Sequence, residues 1–350
     1  MPREPAPLSR ATGATPAISI LLPFRNAAST IAECLDSIRR QTFNDYELIA
    51  VDDGSSDASA SIVAEYASAD LRIQLHRSTV QGLVAALNYG LRRARAALIA
   101  RMDADDLMHP QRLELQFDHL QRHPEISLVS CQARAFPQPL VQQGYREYIR
   151  WQNLCLSPEQ IAANLFVESP LPHPSVMFRC EPVLRLGGYR QGSFPEDYEL
   201  WLRLHEHGHR MAKLPRVLLD WRESPHRTSR QDPRYSRDAF DRLRAEFLAR
   251  SPLLRQRRDE LVIWGAGRKT RKRCAHLLAR GYEVQAWVDI DPKKIGNRLR
   301  GVPVVAPDWL RRRPKPLVLC YVSNHGARDL IARVLHAMGY RRSRDYLMVG

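Results

Sequence analysis

The chain has 350 residues, long enough for about two domains, and its 44% hydrophobic and 26% charged content excludes global disorder. A formal net charge of +15 points to partners that carry phosphate: nucleotides, nucleic acid or an anionic membrane surface. The densest basic runs, such as "LRRAR" at 91–95 and "GRKTRKR" at 267–273, lack the interleaved aromatics of stacking readers, so nucleic acid is not expected as a partner.

The Pro-rich opening, residues 1–16, reads as a loose tail. From Ile18 apolar runs then alternate with amphipathic stretches. "ISILLPF" is a buried strand, and "ASTIAECLDSIRRQT" a helix with Ser29 or Thr30 as its cap. "YELIAVDD" is the second strand, followed by a helix entered through the turn "GSSD". "LRIQLHR", "LVAALNYGLRRAR" and "AALIARMD" continue the series as strand, helix and strand. Such β-α repetition predicts an α/β fold with a mostly parallel sheet flanked by helices, whose ligands gather where the strands end. The polar clusters "PFRN", "DDGSSD" and "DADD" fall at those ends.

Beyond residue 130 the pattern loosens, which predicts mixed or antiparallel strands in an acceptor-side lobe. "PEDYELWLRLHEHG" and "RDAFDRLRAEFLARS" read as helices on either side of the polar passage "WRESPHRTSRQDPRYS". Near Asp259 a strand, a Gly turn, a helix and a strand restart the α/β pattern. The expected division is a first domain over 17–230, a helical linker over 231–258 and a small α/β domain over 259–350.

Asp103, Asp105 and Asp106 crowd three carboxylates into four positions. An extended course through Asp105 would aim Asp103 and Asp105 to one side, where they repel unless a cation or a donor cluster intervenes. A hard divalent ion, with diphosphate oxygens completing its shell, removes that conflict. Glu196 and Asp197, just after Pro195, suit a helix start, and either could supply the base that a group transfer needs.

Taken in order, "LLPFRN", "VDDGSSD", "GLVAALNYGL", "LIARMDADDLMHPQRLELQ", "HPSVMFR" and "FPEDYELWLRL" resemble the family 2 glycosyltransferases of GT-A fold, over about residues 17–230. That resemblance implies an inverting, single-displacement transfer of one sugar from a nucleoside-diphosphate-sugar to an acceptor hydroxyl, with Mg2+ or Mn2+. It implies that Pro23, Phe24 and Asn26 form the first nucleotide-binding loop and that Asp53 contacts the base. Asp103 then lies near the ribose, Asp105 ligates the metal, Asp197 is the catalytic base and Glu196 accompanies it on the acceptor side. Leu87 stands where many relatives carry an Arg, with Asn88 retained. Arg222, His226 and Ser229 offer a stretched version of a loop over the nucleotide, which makes His226 a candidate metal or phosphate contact.

"HEHGH", 205–209, formally matches a zinc-protease motif, but Gly208 reads as a helix C-cap that takes His209 off the helix face. In the last segment "VIWGAGRKT" carries Gly265 and Gly267 in a G-x-G turn, with Thr270 in place of the third Gly, and Asp289 at the distance of a ribose acceptor. This part resembles the Rossmann-like nucleotide-binding domains at the front of sugar acyltransferases and implies a second nucleotide site. The whole reads as an enzyme of surface polysaccharide or glycolipid assembly, cytoplasmic or peripheral at the inner membrane face, with a saccharide or lipid-linked acceptor. A non-catalytic nucleotide-sugar scaffold and an NAD-dependent oxidoreductase are the alternatives. Six scattered cysteines without a C-x-x-C suit a reducing compartment.

Overall fold

The computed structural model describes residues 15–224, 227–312, 314–322 and 326–350. Most of the expected tail, and His226, lie outside them. Two sheets organise the chain. The first has eight strands in the order β3-β2-β1-β4-β7-β6-β8-β5. Its β1 (Ile18–Phe24), β2 (Tyr46–Asp52), β3 (Ile73–Arg77) and β4 (Leu98–Arg101) are all parallel. Every residue of β1 and β2 is buried, as continuous apolar runs demand when helices cover both faces of a sheet. Beyond β4 the sheet becomes mixed. β7 (Met177–Arg179) runs antiparallel to both β4 and β6 (Ile126–Phe136), β8 (Arg210–Arg222) is parallel to β6, and the short β5 (Leu107–Met108) closes the edge.

The helices Ile31–Arg39, Ser59–Ala69 and Leu83–Arg93 connect the parallel strands. Gly90 lets the last of these lie close to the sheet, since a Cβ there would sit 2.2 Å from Leu21 and 3.2 Å from Val51. The amphipathic helix Arg237–Arg250 ties the two halves together: Leu243 and Phe247 join the core of the first sheet, while Ala245 and Leu248 join the core of the second.

The second sheet contains β9 (Leu261–Trp264), β10 (Ala286–Val288), β11 (Arg298–Leu299), β12 (Val302–Val305), β13 (Leu317–Cys320) and β14 (Tyr346–Met348). Its order is β11-β12-β10-β9-β13-β14, and all pairs but β11–β12 are parallel. The parallel strands therefore run third, second, first, fourth, fifth. In such a sheet the crevice between the first and fourth strands is where ligands collect.

Candidate active site

The acidic stretch after β4 is a turn and not an extension of the strand. β4 ends at Arg101, and Asp106 N–H donates to Asp103 C=O at 3.3 Å. Alternation along an extended chain would separate Asp106 from its neighbours. The turn instead brings one oxygen from each of Asp103, Asp105 and Asp106 to within 4.8 Å of the others. Asp106 is buried. Its Oδ1 accepts from Arg222 N–H at 2.7 Å, and its Oδ2 has no hydrogen-bond partner among the described residues. Arg222 Nε donates to Asp105 C=O at 2.6 Å, so one residue from β8 braces the turn twice.

Arg101 supplies a positive charge beneath the turn. It is 1% exposed, and its guanidinium lies 2.6 Å from Asp103. Burial, then the charge of Asp103, still pushes Asp105 up to about 6. Burial and both neighbouring carboxylates hold Asp106 well above the ordinary range. An all-oxygen donor set with an orphaned buried oxygen fits a hard divalent ion, which would satisfy Asp106 Oδ2 and offset the mutual repulsion.

The loops after β1 and β2 are stitched to each other. Pro23 and Phe24 are buried at the end of β1. Asn26, at a φ of 50°, donates its N–H to Ser55 Oγ and accepts Ser56 N–H on Oδ1 at 2.8 Å. Asp53 donates its own N–H to Phe24 C=O and accepts Gly82 N–H at 2.7 Å, fixing the entry to the helix Leu83–Arg93. Leu87, in the place of the family's Arg, is wholly buried. Asn88 clamps the backbone of Tyr189 through both N–H and C=O, which in turn sets the Tyr189 hydroxyl 2.9 Å from His173 Nε2.

On the acceptor side, Pro195 precedes the helix Glu196–Glu206 and places two carboxylates in its first turn. Glu196 is buried, and both its oxygens accept from the Tyr235 hydroxyl, at 2.9 and 2.7 Å. Asp197 is half-buried and accepts Tyr198 N–H at 2.7 Å. Burial, then the neighbouring Glu196, lifts its carboxyl to about 8, against the opposing pull of Arg101. His173, 3.9 Å from Glu196, is held neutral by burial and by the same Arg101. Asp103, Asp105, Glu196 and Asp197 all line one cleft of about 1200 Å³.

Arg101, His173, Arg222 and Tyr235 thus organise the site without having been singled out in these roles from the sequence. For Arg101 a signal existed, because a guanidinium inside the apolar strand "LIARMD" demands a buried anion.

In the second lobe, Gly265 adopts a φ of 111° and a Cβ there would meet Thr270 Oγ1 at 2.7 Å. Asp289 accepts from Ala266 N–H and Asp291 N–H and pairs with Lys294 at 3.3 Å. A separate cavity of about 210 Å³ beside Gly267 is lined by Arg268, Arg271 and Lys294. The helix carrying "HEHGH" ends at Glu206, and Gly208 has a φ of 79°. His209 instead meets Ser127 Oγ at 2.9 Å, and among the described residues only the Asp103 turn gathers three potential metal ligands.

Comparison with known sequences finds a match to the glycosyl transferase family 2 profile over residues 19–187. The amylovoran biosynthesis glycosyltransferase AmsE of Erwinia amylovora is 32% identical over 57% of this chain and 74% of its own length. The putative glycosyltransferase EpsE of Bacillus subtilis is 31% identical over 64% and 79%. A UDP-Gal:alpha-D-GlcNAc-diphosphoundecaprenol beta-1,3-galactosyltransferase of Escherichia coli is 28% identical over 62% and 78%. Among solved structures, TarS 1–349 of S. aureus in complex with UDP-GlcNAc superposes with a TM-score of 0.54 at 16% identity, over 74% of this chain and 71% of that one. The likeness to TarS is one of fold.

Proposed function

The chain belongs to glycosyl transferase family 2 and is a glycosyltransferase; from that premise we propose an inverting transfer of one sugar from a nucleoside-diphosphate-sugar to an acceptor hydroxyl, with Asp197 as base. The observation that carries the reading is the placement of the Asp103–Asp106 turn and of Asp197 on the walls of one cleft.

Asp105 and Asp106 would hold Mg2+ or Mn2+, with Asp103 turned toward the donor and kept in place by Arg101. Bound there, the metal would act as a Lewis acid on the diphosphate leaving group. On the resemblance, the stitched loops carrying Asn26 and Asp53 would meet the base and ribose. On the other wall Asp197 accepts the acceptor's hydroxyl proton while that oxygen bonds to the anomeric carbon. The carbon–oxygen bond to the diphosphate breaks in the same displacement. A carboxyl raised to about 8 is a stronger base than an exposed aspartate, which suits removal of a hydroxyl proton. Glu196, tied to Tyr235, holds the first turn of the helix and therefore the aim of Asp197.

Names of the relatives support an acceptor from surface-polysaccharide assembly. Among the described residues no helix is long and apolar enough to cross a membrane. His226 is kept as a candidate phosphate or metal contact on the sequence resemblance alone.

The test is a donor screen with Mn2+ or Mg2+, followed by Asp197→Asn. The variant should bind donor as the parent does and transfer sugar ~10²–10⁴-fold more slowly, the range that general-base removal gives. Transfer within a few-fold of the parent would remove Asp197 from the role.

A further inference from the structure

The cleft continues past Asp197 to the second lobe, where Arg244, Arg273 and Arg328 line it. Arg244 comes from the shared helix Arg237–Arg250. Arg273 lies on the helix Arg268–Leu278 after β9, and Arg328 on the helix Ala327–Ala337 after β13. The last two therefore stand on the two helices that leave the crevice between the first and fourth strands, and that crevice opens into the transfer cleft.

Arg244 and Arg273 are 2% and 6% exposed, yet among the described residues Arg244 Nε and Arg273 Nη1 have no hydrogen-bond partner, and neither has the buried Nε of Arg328. Asp241 pairs with both Arg244 and Arg273, at 2.9 and 3.2 Å. The field of Glu168 reaches both Arg244 and Arg328, and that of Asp329 reaches Arg328. Burial, and then the crowding of one guanidinium on another, depresses the proton affinity of Arg328. Buried donors left open among crowded like charges are what an incoming dianion would satisfy. Gly350 packs against the same two groups, with a Cβ position 2.3 Å from Arg273 and 2.5 Å from Arg244. Arg244 also lies within electrostatic reach of Tyr198, the residue next to Asp197 in sequence, which sets the basic cluster beside the transfer site.

We propose that Arg244, Arg273 and Arg328 form an anion station for a phosphate or diphosphate carried by the acceptor, so that the second lobe holds the acceptor's charged end while its hydroxyl faces Asp197. The placement of the hydroxyl rests on the transfer reading above; the anion station does not.

The test uses the full-length protein in EDTA, which silences any metal-linked diphosphate site at Asp105, and measures binding of inorganic pyrophosphate by calorimetry. The parent should bind. Arg273→Gln and Arg328→Gln should each weaken binding at least roughly tenfold, the loss expected for a charged hydrogen bond, while Asp105→Asn should not weaken it. Arg273 pairs with Asp241 and its loss could disturb folding, whereas Arg328, with no ion pair within 4 Å among the described residues, serves as the gentler variant. Farnesyl diphosphate is the second probe. Tighter binding than pyrophosphate supports the station with a lipid-linked acceptor, and equal binding supports it with a soluble phosphate ester. No binding by the parent, or binding unchanged in Arg328→Gln, overturns the proposal. Retained pyrophosphate binding in an Asp197→Asn protein that still transfers sugar would break the transfer reading and leave the station standing.

Discussion

Two strand tips in the same molecule carry aspartates and have opposite electrostatics. At the end of β10, Asp289 receives two backbone N–H groups and the Lys294 ammonium. Burial alone would raise its pKa, but those bonds outweigh burial and hold it below the usual carboxylate range. At the end of β4, Asp105 and Asp106 are raised, and one buried oxygen has no hydrogen-bond partner among the described residues. The first tip is complete within the fold, so its carboxylate works as a clasp on the Gly265–Gly267 turn. The second is left with charge that the fold does not compensate and that a cation or a bound proton would offset. Position at a strand end is therefore insufficient to mark a ligand site, and the distinguishing sign is charge that the fold leaves uncompensated.

The largest effect expected from breaking that contrast is at Asp105. Asp105→Asn removes from the open tip the charge proposed to bind the metal, and a Lewis-acid contribution of several kcal/mol corresponds to about a thousandfold in rate. Thermal denaturation with and without Mn2+ gives an independent reading. The parent should gain melting temperature on adding the ion, and Asp105→Asn should gain little. Equal metal-induced stabilisation in parent and variant would show that the turn is not where the ion acts.

A smaller effect sharpens the contrast through pH. Asp197 is raised to about 8 by burial and by Glu196, with Arg101 opposing and Tyr148, Tyr189 and Tyr235 also within its electrostatic reach. In the proposed role of base it acts deprotonated, so kcat/KM, which reports the free enzyme, should climb as pH rises through about 8. The sign for stability is the reverse. The folded state holds this proton more tightly than the unfolded chain, so the stability it contributes is lost as pH rises through about 8. Replacing Arg101 with Met removes an opposing positive charge, and the acidic limb of the rate profile should move to higher pH. Profiles of the two proteins on one donor and acceptor check this, and a limb that stays in place or moves down would separate Arg101 from Asp197.

Much of the frame was legible because it obeys local rules. The runs "ISILLPF" and "YELIAVD" could only be covered strands, and Gly208 ended its helix as its conformational freedom allows. The acidic cluster was visible, but its turn was not, since the brace comes from Arg222, 116 residues away from Asp106. The same distance problem hid the Tyr235 clasp on Glu196 and the meeting of Arg244, Arg273 and Arg328. For Asp289 the spacing from the Gly turn suggested a ligand contact, and what the spacing did not show is that Ala266, Asp291 and Lys294 of its own lobe also donate to its oxygens. Sequence spacing reports which groups can meet, whereas their saturation depends on partners fixed by the tertiary fold.

The smallest effect on transfer is expected from Asp289→Asn, and it bears most directly on the contrast between the two tips. The amide keeps the shape and one acceptor oxygen but loses the ion pair with Lys294 and one of the two acceptor positions, leaving the Ala266 or Asp291 N–H without its partner. Leaving a buried donor unmade costs about 1–3 kcal/mol, and the pair with the 40% exposed Lys294 adds little because water screens it. Because the depressed pKa of Asp289 contributes stability above its unfolded value and loses it as pH falls, the parent's advantage should shrink on acidification, while transfer at neutral pH stays within about twofold. Urea titrations at neutral and acidic pH, beside one transfer assay, measure both. A large loss of transfer with little loss of stability would mean that the closed tip also serves a ligand, and the distinction between complete and incomplete strand ends would have to be redrawn.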